Sequence, residues 1–138
     1  MLAVVNAPVG TADSLALVDV GTGQVTTIGA TGLSGLQSIV TRNGVIYSFD
    51  ANVGLVTLNP NTGAFTDVNT ALGGSGANVQ WMAFRADGTL VGGSTSMFVI
   101  DPANGAFTSY ASSLPDLRGV EAWQNFTRAF GQIGRAHV

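Results

Sequence analysis

Three stretches of this chain repeat one another closely enough to align by eye, and that repeat limits the possible folds more than any other feature. They are Leu15-Ala16-Leu17-Val18-Asp19-Val20-Gly21-Thr22-Gly23-Gln24-Val25-Thr26, Leu55-Val56-Thr57-Leu58-Asn59-Pro60-Asn61-Thr62-Gly63-Ala64-Phe65-Thr66 and Met97-Phe98-Val99-Ile100-Asp101-Pro102-Ala103-Asn104-Gly105-Ala106-Phe107-Thr108. Their reference glycines, Gly23, Gly63 and Gly105, are 40 and 42 residues apart. Each stretch has the grammar of a β-hairpin. An apolar strand leads to Asp or Asn, which can bond the turn backbone; Pro presets φ in two of the copies; Gly accepts the left-handed conformation that closes the loop.

A second motif lies between these hairpins. Asn43-Gly44-Val45-Ile46-Tyr47-Ser48 corresponds to Asp87-Gly88-Thr89-Leu90-Val91-Gly92, a tight turn entering a strand. Upstream of it, Gly35-Leu36-Gln37-Ser38-Ile39-Val40 aligns with Asn78-Val79-Gln80-Trp81-Met82-Ala83-Phe84 and with Gly119-Val120-Glu121-Ala122-Trp123. Four short strands in roughly 40 to 45 residues is the period of a β-propeller blade. The expectation is an all-β chain of four-stranded antiparallel blades, labelled A to D from the inside outward. Strands A to D are expected near 36–42, 45–50, 54–59 and 64–69, and again near 78–86, 88–94, 96–101 and 106–111. A B–C–D set near 2–6, 14–19 and 24–28 precedes them, and an A strand near 119–124 follows. This divides 1–131 into the B–C–D strands of a first blade (1–30), blades at 31–72 and 73–112, and the A strand of a further blade (113–131). The total is about three blade equivalents, an incomplete or open ring, whereas a closed ring needs about four to eight blades. Either the chain is a fragment of a longer one, or two copies complete a six-bladed ring as a homodimer, the terminal A strand of each joining the B–C–D set of the other.

The pattern Leu-x-x-Ile-Asp-Pro-x-x-Gly-x-Phe-Thr with Asp-Gly-Thr-Leu resembles the blades of secreted or surface bacterial propeller repeat proteins whose hairpins read L-x-x-I-D-P-x-T-G, a WD40-like and YVTN-like type largely of unknown function. The resemblance spans residues 2–124 and implies an extracytoplasmic location. The first copy departs from it, with Val20-Gly21 in the place of Pro. It is similar more loosely to propeller lyases and lactonases. The C-terminal Ile133-Gly134-Arg135-Ala136-His137-Val138 is what ATC GGA AGA GCA CAC GTC encodes, which resembles a short-read sequencing adapter. Ala129-Phe130 falls where Val45-Ile46 begins a B strand, so the sequence leaves the repeat just as a new blade starts, and 132–138 reads as a non-native tail.

Composition narrows the function classes. Only 9% of the 138 residues are charged, the formal net charge is −3, and all five cations are Arg. That is unsuited to a nucleic-acid surface. No apolar run is long enough for a membrane span. With no Cys, disulfide scaffolds and thiolate metal sites are excluded. The sole histidine, His137, lies in the tail, which leaves no candidate for Ser-His-Asp catalysis or His-ligated metal. Gly73-Gly74-Ser75-Gly76 reads as a linker between blades. Asp19, Asn59 and Asp101 read as turn caps, Asp87 belongs to an Asp-Gly turn, and Asp13, Asp50 and Asp116 are expected in solvated loops. Trp81, Phe84, Trp123 and Phe126 are expected to pack between blades.

One column stands out. Gln37, Gln80 and Glu121 each follow an apolar residue at the same position of the A strand, which lines the central channel of a propeller. They are the candidate ligand-binding residues. No catalytic residue, metal ligand or cofactor is assigned. The expected function is a noncatalytic binding or scaffold module for a protein or glycan. The alternative is a fragment of a lyase- or lactonase-type propeller enzyme with a channel metal, and the residues lean away from an enzyme.

Overall fold

The structure is a computed structural model and describes residues 1–121. It is all-β, with eleven strands among these residues in three antiparallel sheets. The first contains β1 (Leu2–Val5), β2 (Ser14–Val18) and β3 (Val25–Ala30); the second contains β4 (Val40–Arg42), β5 (Val45–Asp50), β6 (Gly54–Leu58) and β7 (Phe65–Asp67). The third contains β8 (Trp81–Phe84), β9 (Leu90–Gly93), β10 (Met97–Ile100) and β11 (Phe107–Ala111). Within each sheet, strands adjacent in sequence pair with one another. No helix among the described residues is long and apolar enough to cross a membrane.

The three long hairpin turns are the same object built three times. The amides of Gly23, Gly63 and Gly105 donate to the carbonyls of Asp19, Asn59 and Asp101, each at 2.7 Å, and the glycines have φ of 75°, 81° and 73°. The side chains of Asp19, Asn59 and Asp101 accept amide hydrogen bonds from Gly21, Asn61 and Ala103, as expected of turn caps. The other pair of turns is not alike. Asn43 and Gly44 both have positive φ in a two-residue turn, whereas at Asp87-Gly88 only Gly88 does, within a five-residue loop between Phe84 and Leu90.

β4 is shorter than its expected 36–42 because the backbone before it is engaged elsewhere. The Leu36 amide donates to Asp13, and the Ser38 carbonyl accepts from the Ser48 hydroxyl. Residues 119–121 carry no strand, and the rest of the strand expected near 119–124 lies outside the described residues, as do Trp123, Phe126 and the 132–138 tail. Gly73–Gly76 does connect two sheets, lying against the β5–β6 turn through Gly74 N–H to Asn52 and Gly76 N–H to Ala51.

The second sheet is covered on both faces. Toward the first sheet, Leu36, Ile46, Val56 and Leu58 pack with Leu15, Leu2, Val4 and Ile28. Toward the third, Phe49 and Leu55 pack with Val79, Met82, Leu90 and Ile100. These cores are equivalent under the sequence repeat: Leu15 and Ile28 recur as Leu55 and Val68, while Leu36, Ile46, Leu58 and Phe65 recur as Val79, Leu90, Ile100 and Phe107. The periodic hairpin therefore sets the strand register and also which face of each sheet meets the next one.

Candidate functional site

A cavity of about 550 Å³ opens where the first strands of the sheets approach one another. It is lined by Leu2, Val4 and Asn6, by the segment Leu36–Ile39 ahead of β4, by Gln80 ahead of β8 and by Arg118. Two of the three column residues thus share one wall. Gln37 is exposed and Gln80 half-buried; Glu121 is exposed and does not line the cavity. The repeat places the two glutamines together because each follows the buried apolar residue, Leu36 or Val79, that anchors its segment in a core.

Gln80 is held through its main chain, its amide donating to Gly93 O at 2.9 Å. Its side-chain Oε1 is buried and has no hydrogen-bond partner. A buried acceptor in that condition costs about 1–3 kcal/mol.

The opposite wall offers backbone. Met1 and Val18 exchange hydrogen bonds, at 3.0 Å and 2.7 Å, so in this antiparallel ladder Ala3 and Val5 face β2 while the N–H and C=O groups of Leu2 and Val4 point away from it. β1 is an edge strand, and no strand among the described residues lies beyond it. The cavity therefore presents main-chain donors and acceptors on one side and glutamine amides on the other. The Arg118 guanidinium adds a cation at the rim, bonded to Asp116 at 2.8 Å and 3.1 Å, and that partner raises its pKa. Nothing in the repeat marks Arg118, so no signal in the sequence singles it out.

Two carboxylates are not where the sequence placed them. Asp13 and Asp50, expected in solvated loops, are buried, with 1% and 6% of their surfaces accessible. Each replaces water with amide hydrogen bonds: Asp13 accepts from Ala7 and Leu36, both at 3.1 Å, and Asp50 from Asn52 and Val53 at 2.8 Å and 2.9 Å. They serve the joints between elements. Among the described residues no three His, Asp or Glu side chains come together as a metal site would need. Phe84 packs into the core between the second and third sheets, edge-on to Tyr47 at 5.4 Å; Trp81 is buried on the other side of its strand, by the alternation of β8.

No family model matches the chain, and no curated protein shows significant similarity to it.

Proposed function

We propose that the chain is a segment of a β-propeller acting as a noncatalytic binding or scaffold module that takes an extended stretch of a protein partner. The propeller reading is supported by three sheets packed in series through equivalent cores, the arrangement blades require. The binding reading rests on one observation: Gln37 and Gln80 line the same cavity as Leu2 and Val4, whose main chain forms the open edge of β1. An extended peptide supplies alternating N–H and C=O groups to such an edge and side chains to the pocket beside it. A glycan would use the glutamines but leave the edge unmatched, so the peptide is favoured.

The test is selection of peptides from a display library on the purified chain, followed by titration against variants. Selected peptides should shift the backbone amide resonances of Leu2 and Val4 and lose about tenfold in affinity with Gln80→Ala, the equivalent of about 1.4 kcal/mol. Peptides that bind Gln80→Ala unchanged and leave those resonances still would defeat the reading. Ligands found only on a glycan array would replace peptide by sugar.

A further inference from the structure

The two outermost sheet faces carry the two halves of the interface already used twice inside the molecule. The positions where Leu58 and Phe65 of the second sheet meet the first, and Ile100 and Phe107 of the third meet the second, are occupied in the first sheet by Val18 and Val25. There they face outward, and Val25 is 53% exposed. The positions where Leu15 and Ile28, then Leu55 and Val68, meet the following sheet are occupied in the third sheet by Met97 and Tyr110, and Tyr110 is 52% exposed. Neither face carries an ionisable carboxylate or cation at these positions.

We infer that a second copy of this chain covers both faces, the first sheet of each copy seating on the third sheet of the other. This deepens the propeller reading and rests on it. Sizes support the match. Val25 is smaller than the phenylalanine at its two equivalents, and Tyr110 is larger than Ile28 or Val68. The smaller side chain at Val25 leaves room for the larger Tyr110 ring. Each contact joins unlike faces, but a two-fold axis relates the pair of contacts, so two copies close and leave neither of these two faces open. Closure would bring two channel glutamines from each copy around one axis, and the cavity described above is one half of that site.

Sedimentation equilibrium of the chain should give twice its 14.0 kDa mass, and Val25→Glu should return it to the monomer mass with an unchanged β-sheet circular dichroism spectrum. Because the chain has no cysteine, a short bis-maleimide can then identify the faces. Val25→Cys chains mixed with size-tagged Tyr110→Cys chains should cross-link to each other, and Val25→Cys chains alone should not. A monomeric wild type overturns the pairing, as does open-ended growth or cross-linking of Val25→Cys to itself. Peptide binding by a monomer would separate that failure from failure of the cavity assignment.

Discussion

The carboxylate of Asp13 reaches across from the loop before β2 to accept the amide of Leu36 at 3.1 Å, fixing the segment that carries Gln37 to the first sheet. The same side chain accepts from Ala7, and the Asp13 main chain bonds Leu33 and Thr31. One residue thus gathers the N-terminal strand, the second strand and the connection to the next sheet. Removing it strands two amides in a site nearly closed to water.

Asp13→Ala should therefore cost about 2–4 kcal/mol, as expected for lost charge-assisted hydrogen bonds that leave buried donors unpaired. Asp13→Asn keeps an acceptor for one of the two amides but turns an NH2 toward the other, so it should recover only part of that loss. Urea denaturation of the three proteins checks the order, and equal midpoints for wild type and Asp13→Ala would refute the clamp.

Phe49 and Phe107 meet edge to face with ring centroids 5.3 Å apart, across the junction of the second and third sheets. Phe49→Ala, at a site 2% exposed, should cost about 3–5 kcal/mol. A double-mutant cycle with Phe107→Ala should return a coupling of about 0.5–1.5 kcal/mol beyond the separate losses. Strict additivity would mean that the sheets do not pack through this pair.

Asp87 accepts the Thr89 amide at 2.9 Å, and this bond, more than the Thr89 hydroxyl or Arg85, lowers its pKa below the ordinary 3.8. A carboxylate with a depressed folded pKa lends stability above its unfolded pKa and loses it as pH falls through the folded one. Asp87→Asn should thus flatten slightly the decline in urea midpoint between about pH 5 and pH 2. The group is exposed, so the change is small. A carboxyl titration by NMR should place Asp87 below 3.8 in the wild type, little changed in Thr89→Val, which removes only the hydroxyl, and raised toward 3.8 in Thr89→Pro, which removes the amide as well; equal values in Thr89→Val and Thr89→Pro would refute the assignment to the amide.

How much of this was legible in the sequence depends on whether a residue's role is set by its own repeat or by a distant contact. The hairpin strands, the turn caps Asp19, Asn59 and Asp101 and the shared position of Gln37 and Gln80 follow from local patterns; the bounds of the A strands do not, since β4 starts only at Val40 and β8 at Trp81. Asp13 and Asp50 look like loop residues because their neighbours are Gly, Ala, Thr and Asn, and only the fold brings amides to them. Arg118 reaches the cavity from a position that holds Ser34 and Ala77 in the two earlier repeats, so the repeat does not mark it. The bare Oε1 of Gln80 depends on what surrounds one atom, which no column of residue types records.

The turn glycines give a comparison in which backbone strain and packing separate. Gly23 and Gly63 sit at the same turn position with φ of 75° and 81°, so replacing either with Ala forces a side chain into the left-handed region. At Gly23 an added Cβ meets nothing within 4 Å; at Gly63 it would lie 2.5 Å from the carbonyl oxygen of Gly29, because here the turn of one sheet presses on the backbone of its neighbour. Gly23→Ala should then cost only the conformational penalty, about 1–2 kcal/mol. Gly63→Ala must also push apart the first and second sheets where they meet backbone to backbone, and its cost should exceed that of Gly23→Ala by at least about 1 kcal/mol. Denaturation midpoints measure both, and equal losses would show that these sheets do not touch along this line.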